Sequence, residues 1–150
     1  MYSIDTLPPP DLARGGSSPV PSPRCRPGAT TSFTVGGAYG HLLTSTLADG
    51  TLADVRIMMA KEGSTMRGLT DGLSAMLTIG LRHGVPLETL LSPLIGTRFE
   101  PLGTTDDPEI PEASSITDYV ARRLAFDYLP ASDQPGRARE SAHATGVVSR

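Results

Sequence analysis

The sequence predicts an α+β domain, a small antiparallel three-stranded meander followed by about three helices packed on one face. Three observations carry this. Strand-like runs separated by glycine turns come first. The apolar spacing then changes to three and four residues, the helical period. The order is therefore sheet first and helices after, and a sheet this small needs a covered face.

Ser32 to Val35 is short and β-prone, and Gly36-Gly37 permits a sharp reversal. Tyr39 to Leu47 is the second run, closed by the turn signal Ala48-Asp49-Gly50. Leu52 to Ala60 alternates, with Val55, Ile57 and Met59 on one side and Asp54, Arg56 and Met58 on the other. Ser64 is placed to cap a helix over Thr65 to His83, whose expected apolar face is Met66, Leu69, Leu73, Met76 and Leu77. Gly84 fits the position just past its end. A second, short helix runs from Pro86 to Ile95, carries Leu87, Leu90, Leu91 and Leu94, and is limited by Pro93. Thr97 to Glu112, rich in acids and prolines, reads as a loop. A third helix starts near Ser114 or Ser115, with Ile116, Tyr119, Val120, Leu124 and Tyr128 on its apolar face, and ends at Pro130.

Composition divides the chain into an arm (1–31), a domain (32–130) and a tail (131–150). The arm holds Pro8, Pro9, Pro10, Pro19, Pro21, Pro23 and Pro27, with too little apolar surface to offset the entropy of ordering, so arm and tail read as disordered. Both ends carry a small positive charge while the whole chain is at -3, so the domain is acidic. That argues against duplex nucleic acid as the partner, because phosphate binding needs a basic face. No apolar run approaches the roughly 18 residues of a membrane span, and no basic-then-apolar leader is present. A single cysteine, Cys25, excludes an internal disulfide and makes the cytoplasm the expected compartment.

Chemistry-bearing patterns are sparse. His41, His83 and His143 have no metal-ligand spacing, and Asp106-Asp107-Pro108-Glu109 reads as a solvated loop or a turn and cap. Cys25 lies between Arg24 and Arg26, with nothing to position a base beside it. No catalytic residue and no metal site is assigned. Gly68, Gly72, Gly80 and Gly84 form a stripe along the first helix, each interior one costing roughly 1 kcal/mol. Close backbone packing offsets that cost, a ligand or partner lies against the bare backbone, or the helix is kinked or less regular.

Several motifs carry a family resemblance: Ser-Phe-Thr-Val-Gly-Gly-Ala at 32–38, Lys-Glu-Gly-Ser-Thr-Met-Arg-Gly-Leu-Thr-Asp at 61–71, and His-Gly-Val-Pro-Leu-Glu-Thr at 83–89. Arg-Phe-Glu-Pro at 98–101, Thr-Asp-Asp-Pro at 105–108 and Ser-Ile-Thr-Asp-Tyr-Val-Ala-Arg-Arg-Leu-Ala-Phe-Asp-Tyr-Leu-Pro at 115–130 continue it in one order. The domain resembles the C-terminal (TSCPD) domain of adenosylcobalamin-dependent, class II ribonucleotide reductases. The name-giving segment departs from the pattern, reading Thr44-Ser45-Thr46-Leu47-Ala48-Asp49 without its proline and cysteine.

The resemblance implies a place in deoxyribonucleotide and DNA synthesis. The parent oxidoreductases are α/β barrels that bind adenosylcobalamin and make a thiyl radical, which needs a radical cysteine plus a reducing pair. This chain has Cys25 alone, so no cofactor of its own and no reduction by itself are expected. Three readings follow: a free-standing interaction or accessory module binding the reductase or a nucleotide, a piece of a split or truncated reductase active only in complex, or an inactive remnant. Lys61, Ser64, Thr65, Arg67 and Arg98 are the candidate nucleotide or partner contacts. They are the polar parts of the matching motifs, and cations beside a helix N-terminus suit phosphate.

Overall fold

The computed structural model describes residues 24–134. The arm through residue 23 and the tail from residue 135 lie outside the described residues. Three strands form one antiparallel sheet in chain order: β1 (Gly28–Val35), β2 (Ala38–Thr46) and β3 (Leu52–Met59). Helices α1 (Thr65–Arg82), α2 (Leu87–Leu91) and α3 (Ile116–Tyr128) follow, as the change of period predicts. A two-residue ladder of β4 (Gly103–Thr104) and β5 (Glu112–Ala113) precedes α3.

Alternation sets the sheet's two faces. Phe33 pairs with Gly40 and Gly40 with Met59, while Leu42 pairs with Ile57 and Thr44 with Val55. Phe33, Val35, Leu42, Val55, Ile57 and Met59 are buried, and this is the core face. Across it lies α3, with Ile116, Tyr119, Val120 and Leu124 buried. The Tyr119 ring meets Phe33 at 4.9 Å between centroids, and the Tyr128 and Thr44 hydroxyls are 2.7 Å apart. Gly40 makes room for this packing, because a Cβ there would lie 2.8 Å from Phe33 Cζ.

The face expected for α1 is corrected in part. Leu77 is buried and Met66 and Leu73 are partly so, but Leu69 and Met76 are each 67% exposed. Thr70 and Ser74 are buried in their place. The reason is where α1 sits: it runs along the outer edge of β3. An edge strand presents unpaired amides and carbonyls, and hydroxyls satisfy them here. The Ile57 amide donates to Ser74 Oγ at 2.9 Å, the Val55 amide to Thr78 Oγ1 at 3.1 Å, and Thr78 donates back to the Val55 carbonyl. Ser74→Ala leaves the buried Ile57 amide without a partner, at an expected cost of about 1–2 kcal/mol. Faster hydrogen exchange at that amide checks it, and unchanged exchange and stability would count against the edge-covering role.

Other boundaries moved for local reasons. Pairing with β2 starts at Gly28, four residues earlier than the strand expected from Ser32. The second helix is confined to Leu87–Leu91, starting after Pro86 and ending before Pro93. The expected loop over 97–112 carries the β4–β5 ladder and buries Asp107 and Ile110.

Candidate functional site

The candidate contact residues cluster at the start of α1, with one exception. After β3, Ala60 and Gly63 both adopt positive φ, turning Lys61-Glu62-Gly63 into a tight lead-in. Ser64 caps the helix, accepting from the Arg67 amide at 3.2 Å and donating to the Lys61 carbonyl at 2.7 Å. Lys61 and Thr65 are exposed beside it. Arg67 is committed elsewhere: its Nε donates to both carboxylate oxygens of Asp71, at 3.0 and 3.1 Å. Arg98 lies beyond α2, and among the described residues no hydrogen bond or ion pair joins it to Lys61, Ser64, Thr65 or Arg67. The structure thus gathers four of the five residues but leaves Lys61 as the cation there without an ion pair among the described residues.

Continuing from that end, the outward face of α1 carries an apolar ridge. Leu69, Met76 and Ile79 are among the large hydrophobic side chains most open to solvent, Ile79 at 52%. Beside them the backbone is bare, since a Cβ at Gly68 or Gly72 would meet nothing within 4 Å. The packing expected of the glycine stripe is therefore absent at Gly68 and Gly72. It is also absent at Gly84, which meets nothing and instead ends the helix with φ +77°. At Gly80 the expected contact exists, because a Cβ there would lie 2.8 Å from Leu90 Cδ2. Two of the three ridge residues, Leu69 and Met76, belong to the face that the sequence assigns to the core.

Next to the ridge, a groove of about 580 Å³ separates α1 from β3, lined by Asp54, Arg56, Asp71, Ala75, Thr78 and Ile79 among others. Asp54 anchors its wall, accepting from Ser45 at 2.8 Å and Arg82 at 2.7 Å and pairing with Arg26. Partial burial disfavours its charge, yet the hydrogen bonds from Ser45 and Arg82 and the nearby Arg26 outweigh that and hold its carboxyl below the usual range. The departed segment Thr44-Ser45-Thr46 ends β2, with Ser45 bound to Asp54 and Thr44 to Tyr128. These are structural roles.

A second polar cluster, not singled out as a site from sequence, is buried under α3. Asp107 accepts from the Tyr119 hydroxyl at 2.9 Å, from Arg123 at 3.1 Å and, through its other oxygen, from the Glu109 amide at 3.0 Å. Arg123 is shared with Asp127 and Glu109. The only advance signal was the four-residue spacing of Tyr119, Arg123 and Asp127 on one helix face. The cluster clamps the β4–β5 segment onto α3. Among the described residues, no group of three His, Cys, Asp or Glu could hold a metal ion, and no helix is long and apolar enough to cross a membrane. Cys25 is exposed. The arrangement offers surfaces for binding, and the Ser32 hydroxyl lies 3.3 Å from His41 Nδ1 on the exposed face of the sheet.

Comparison with known proteins agrees with the motifs. Residues 15–128 match the TSCPD domain model. A vitamin B12-dependent ribonucleotide reductase of Streptantibioticus cattleyicolor is 51% identical over 108 residues, 72% of this chain and 18% of that protein. The protein of that name in Streptomyces coelicolor is also 51% identical over 108 residues, 72% of this chain and 11% of the relative. The one in Rhodopirellula baltica is 36% identical over 124 residues, 83% of this chain and 12% of the relative. This chain thus spans less than a fifth of these relatives' length. No solved structure matches it. With the match running from ahead of β1 to the end of α3, the chain belongs to the TSCPD domain family.

Proposed function

We propose that this chain serves a vitamin B12-dependent ribonucleotide reductase as a non-catalytic interaction module, docking through the outward face of α1. The observation that carries the reading is the ridge of Leu69, Met76 and Ile79 beside the bare backbone of Gly68 and Gly72. Exposed apolar side chains at helical spacing suit another helix or sheet laid against them, and glycines let that backbone approach closely. Lys61, Ser64 and Thr65 give the ridge a polar end, and Arg98 supplies a separate contact.

Family membership supports the choice of partner. The relatives bear the reductase's name, and they match this chain over a minor part of their length. Thiyl-radical reduction of a ribose needs a radical cysteine and a reducing pair, whereas these 150 residues hold one cysteine. The reducing thiols and adenosylcobalamin therefore come from outside these 150 residues, and the module supports deoxyribonucleotide synthesis in the cytoplasm.

The test uses a Streptomyces coelicolor-type reductase from which the matching segment has been deleted. Calorimetry is expected to show binding of this chain, and Leu69→Asp with Met76→Asp to weaken it about a hundredfold without lowering the melting temperature. Restored turnover on adding the chain would mark it as a required piece of the enzyme. Binding without restoration would mark an accessory module, and absence of binding would overturn the reading.

A further inference from the structure

The sheet has two edges, and the fold covers them unequally. Along β3 the edge is closed by the hydroxyls of α1. The far end of β1 is closed too: the Thr34 amide donates to Asp106 Oδ1 at 2.7 Å, the Gly36 amide to the Thr104 carbonyl at 3.0 Å, and Val35 bridges to Thr105. These bonds fix the direction of the backbone groups of β1. Thr34 points its amide away from β2, and by the two-residue repeat so do Gly28, Thr30 and Ser32. All three are exposed, and among the described residues no backbone hydrogen bond reaches them on that side.

This open stretch lacks the guards that edge strands normally carry. Gly28-Ala29-Thr30-Thr31-Ser32 has no charge, no proline and no bulge. Pro27 comes next, but its carbonyl accepts from Thr46 of β2, so its missing N–H lies on that side and leaves the free edge unaffected.

We propose that the β1 edge pairs with the β1 edge of a second copy of this chain, antiparallel and two-fold about Thr30. In this register Thr30 faces Thr30, and Gly28 and Ser32 face each other twice. Each pair turns amide and carbonyl toward its mate, forming about six new backbone hydrogen bonds. β-Branched threonines meet across the axis, a favourable cross-strand pair. The edge is its own complement, because each outward amide and carbonyl at Gly28, Thr30 and Ser32 meets its counterpart in a second copy. Arg26 stays paired with Asp54 of its own chain, and Thr34, whose amide Asp106 holds, stays outside the new ladder. Centring the pair two residues earlier sets Thr30 and Ser32 against residues 26 and 24, ahead of the strand. Centring it two residues later presses Thr30 onto an amide that Asp106 already occupies.

An edge contact of this size is small, so the expected dissociation constant is about 1–100 µM. Sedimentation of the full chain over a concentration series is expected to show exchange between the 15.7 kDa monomer and its dimer. Thr30→Pro removes an amide from the new ladder and none from the β1–β2 ladder, and is expected to weaken the dimer about tenfold or more. Thr30→Lys puts two like charges on the axis and is expected to do the same with unaltered backbone and melting temperature. A monomer at every concentration, or a dimer unmoved in folded Thr30→Lys, overturns the proposal.

Discussion

Gly36→Ala is expected to destabilise the chain by about 3 kcal/mol or more, with a melting temperature lower by roughly 12–20 °C. Gly36 and Gly37 form the two-residue connection between Val35 and Ala38, both with positive φ, at +55° and +83°. Such a turn matches the twist of the flanking strands. Alanine in that backbone region costs about 1–2 kcal/mol by itself. The larger part is spatial. A Cβ at Gly36 would collide with the Leu102 carbonyl oxygen, 2.9 Å from its carbon and 3.1 Å from the Leu102 nitrogen. These are backbone atoms, so no rotamer change relieves the contact. Moving Leu102 away would break the Gly36–Thr104 hydrogen bond that docks the β4–β5 segment on β1. Gly37 is the control in the same turn. A Cβ there meets nothing within 4 Å, so Gly37→Asn, which tolerates positive φ, is expected to cost less than about 1 kcal/mol. Equal losses for the two variants in urea denaturation would show that the approach of Leu102 does not matter.

What could be read in advance from the residues depended on whether local pattern and tertiary need agreed. They agree in the hairpins: alternating burial at Val55, Ile57 and Met59 and the glycine pair at 36 and 37 reappear as core face and turn. They agree at the helix ends, where Ser64 and Ser115 accept from the amides three residues on. They part on α1. Apolar spacing favours Leu69 and Met76 for the core, yet the neighbour of α1 is a strand edge whose amides need oxygen, and Ser74 and Thr78 supply it. That same exchange created the candidate interface, because the displaced hydrophobic residues have nowhere to go but outward. The start of β1 was invisible for a related reason. Gly28 to Thr31 bury almost nothing and are held by the β2 ladder, so composition grouped them with the proline-rich arm. A ladder as short as β4–β5 has no periodicity to detect. The turn contact from the Glu109 amide to Asp107 is local, but its side-chain partners lie 12 and 16 residues away, beyond the reach of any local rule.

Asp107→Asn is the second large effect, with an expected loss of about 3 kcal/mol and a distinct acid signature. The carboxylate is buried and receives Tyr119, Arg123 and the Glu109 amide. The amide variant removes the countercharge of a mostly buried Arg123 and sets an NH2 against donors on one side. Burial alone would raise the Asp107 pKa, but the hydrogen bonds from Tyr119 and Arg123 outweigh it, so the folded value lies below the ordinary 3.8. Tyr119 moves the other way, raised by burial and then by its bond to Asp107, and so remains a donor at neutral pH. A depressed carboxylate binds its proton more readily in the unfolded chain. Its contribution is therefore complete above the unfolded pKa and disappears as pH falls through the folded one. Asp54 shifts in the same direction and adds to the trend. The melting temperature is expected to be flat above about pH 5 and to fall below about pH 4, with the Asp107→Asn curve lower and less steep in acid. Tyr119→Phe keeps the Arg123 pairing and should cost only about 1–2 kcal/mol. Parallel acid curves for the wild type and Asp107→Asn would mean that the charge at Asp107 is not what clamps the β4–β5 segment to α3.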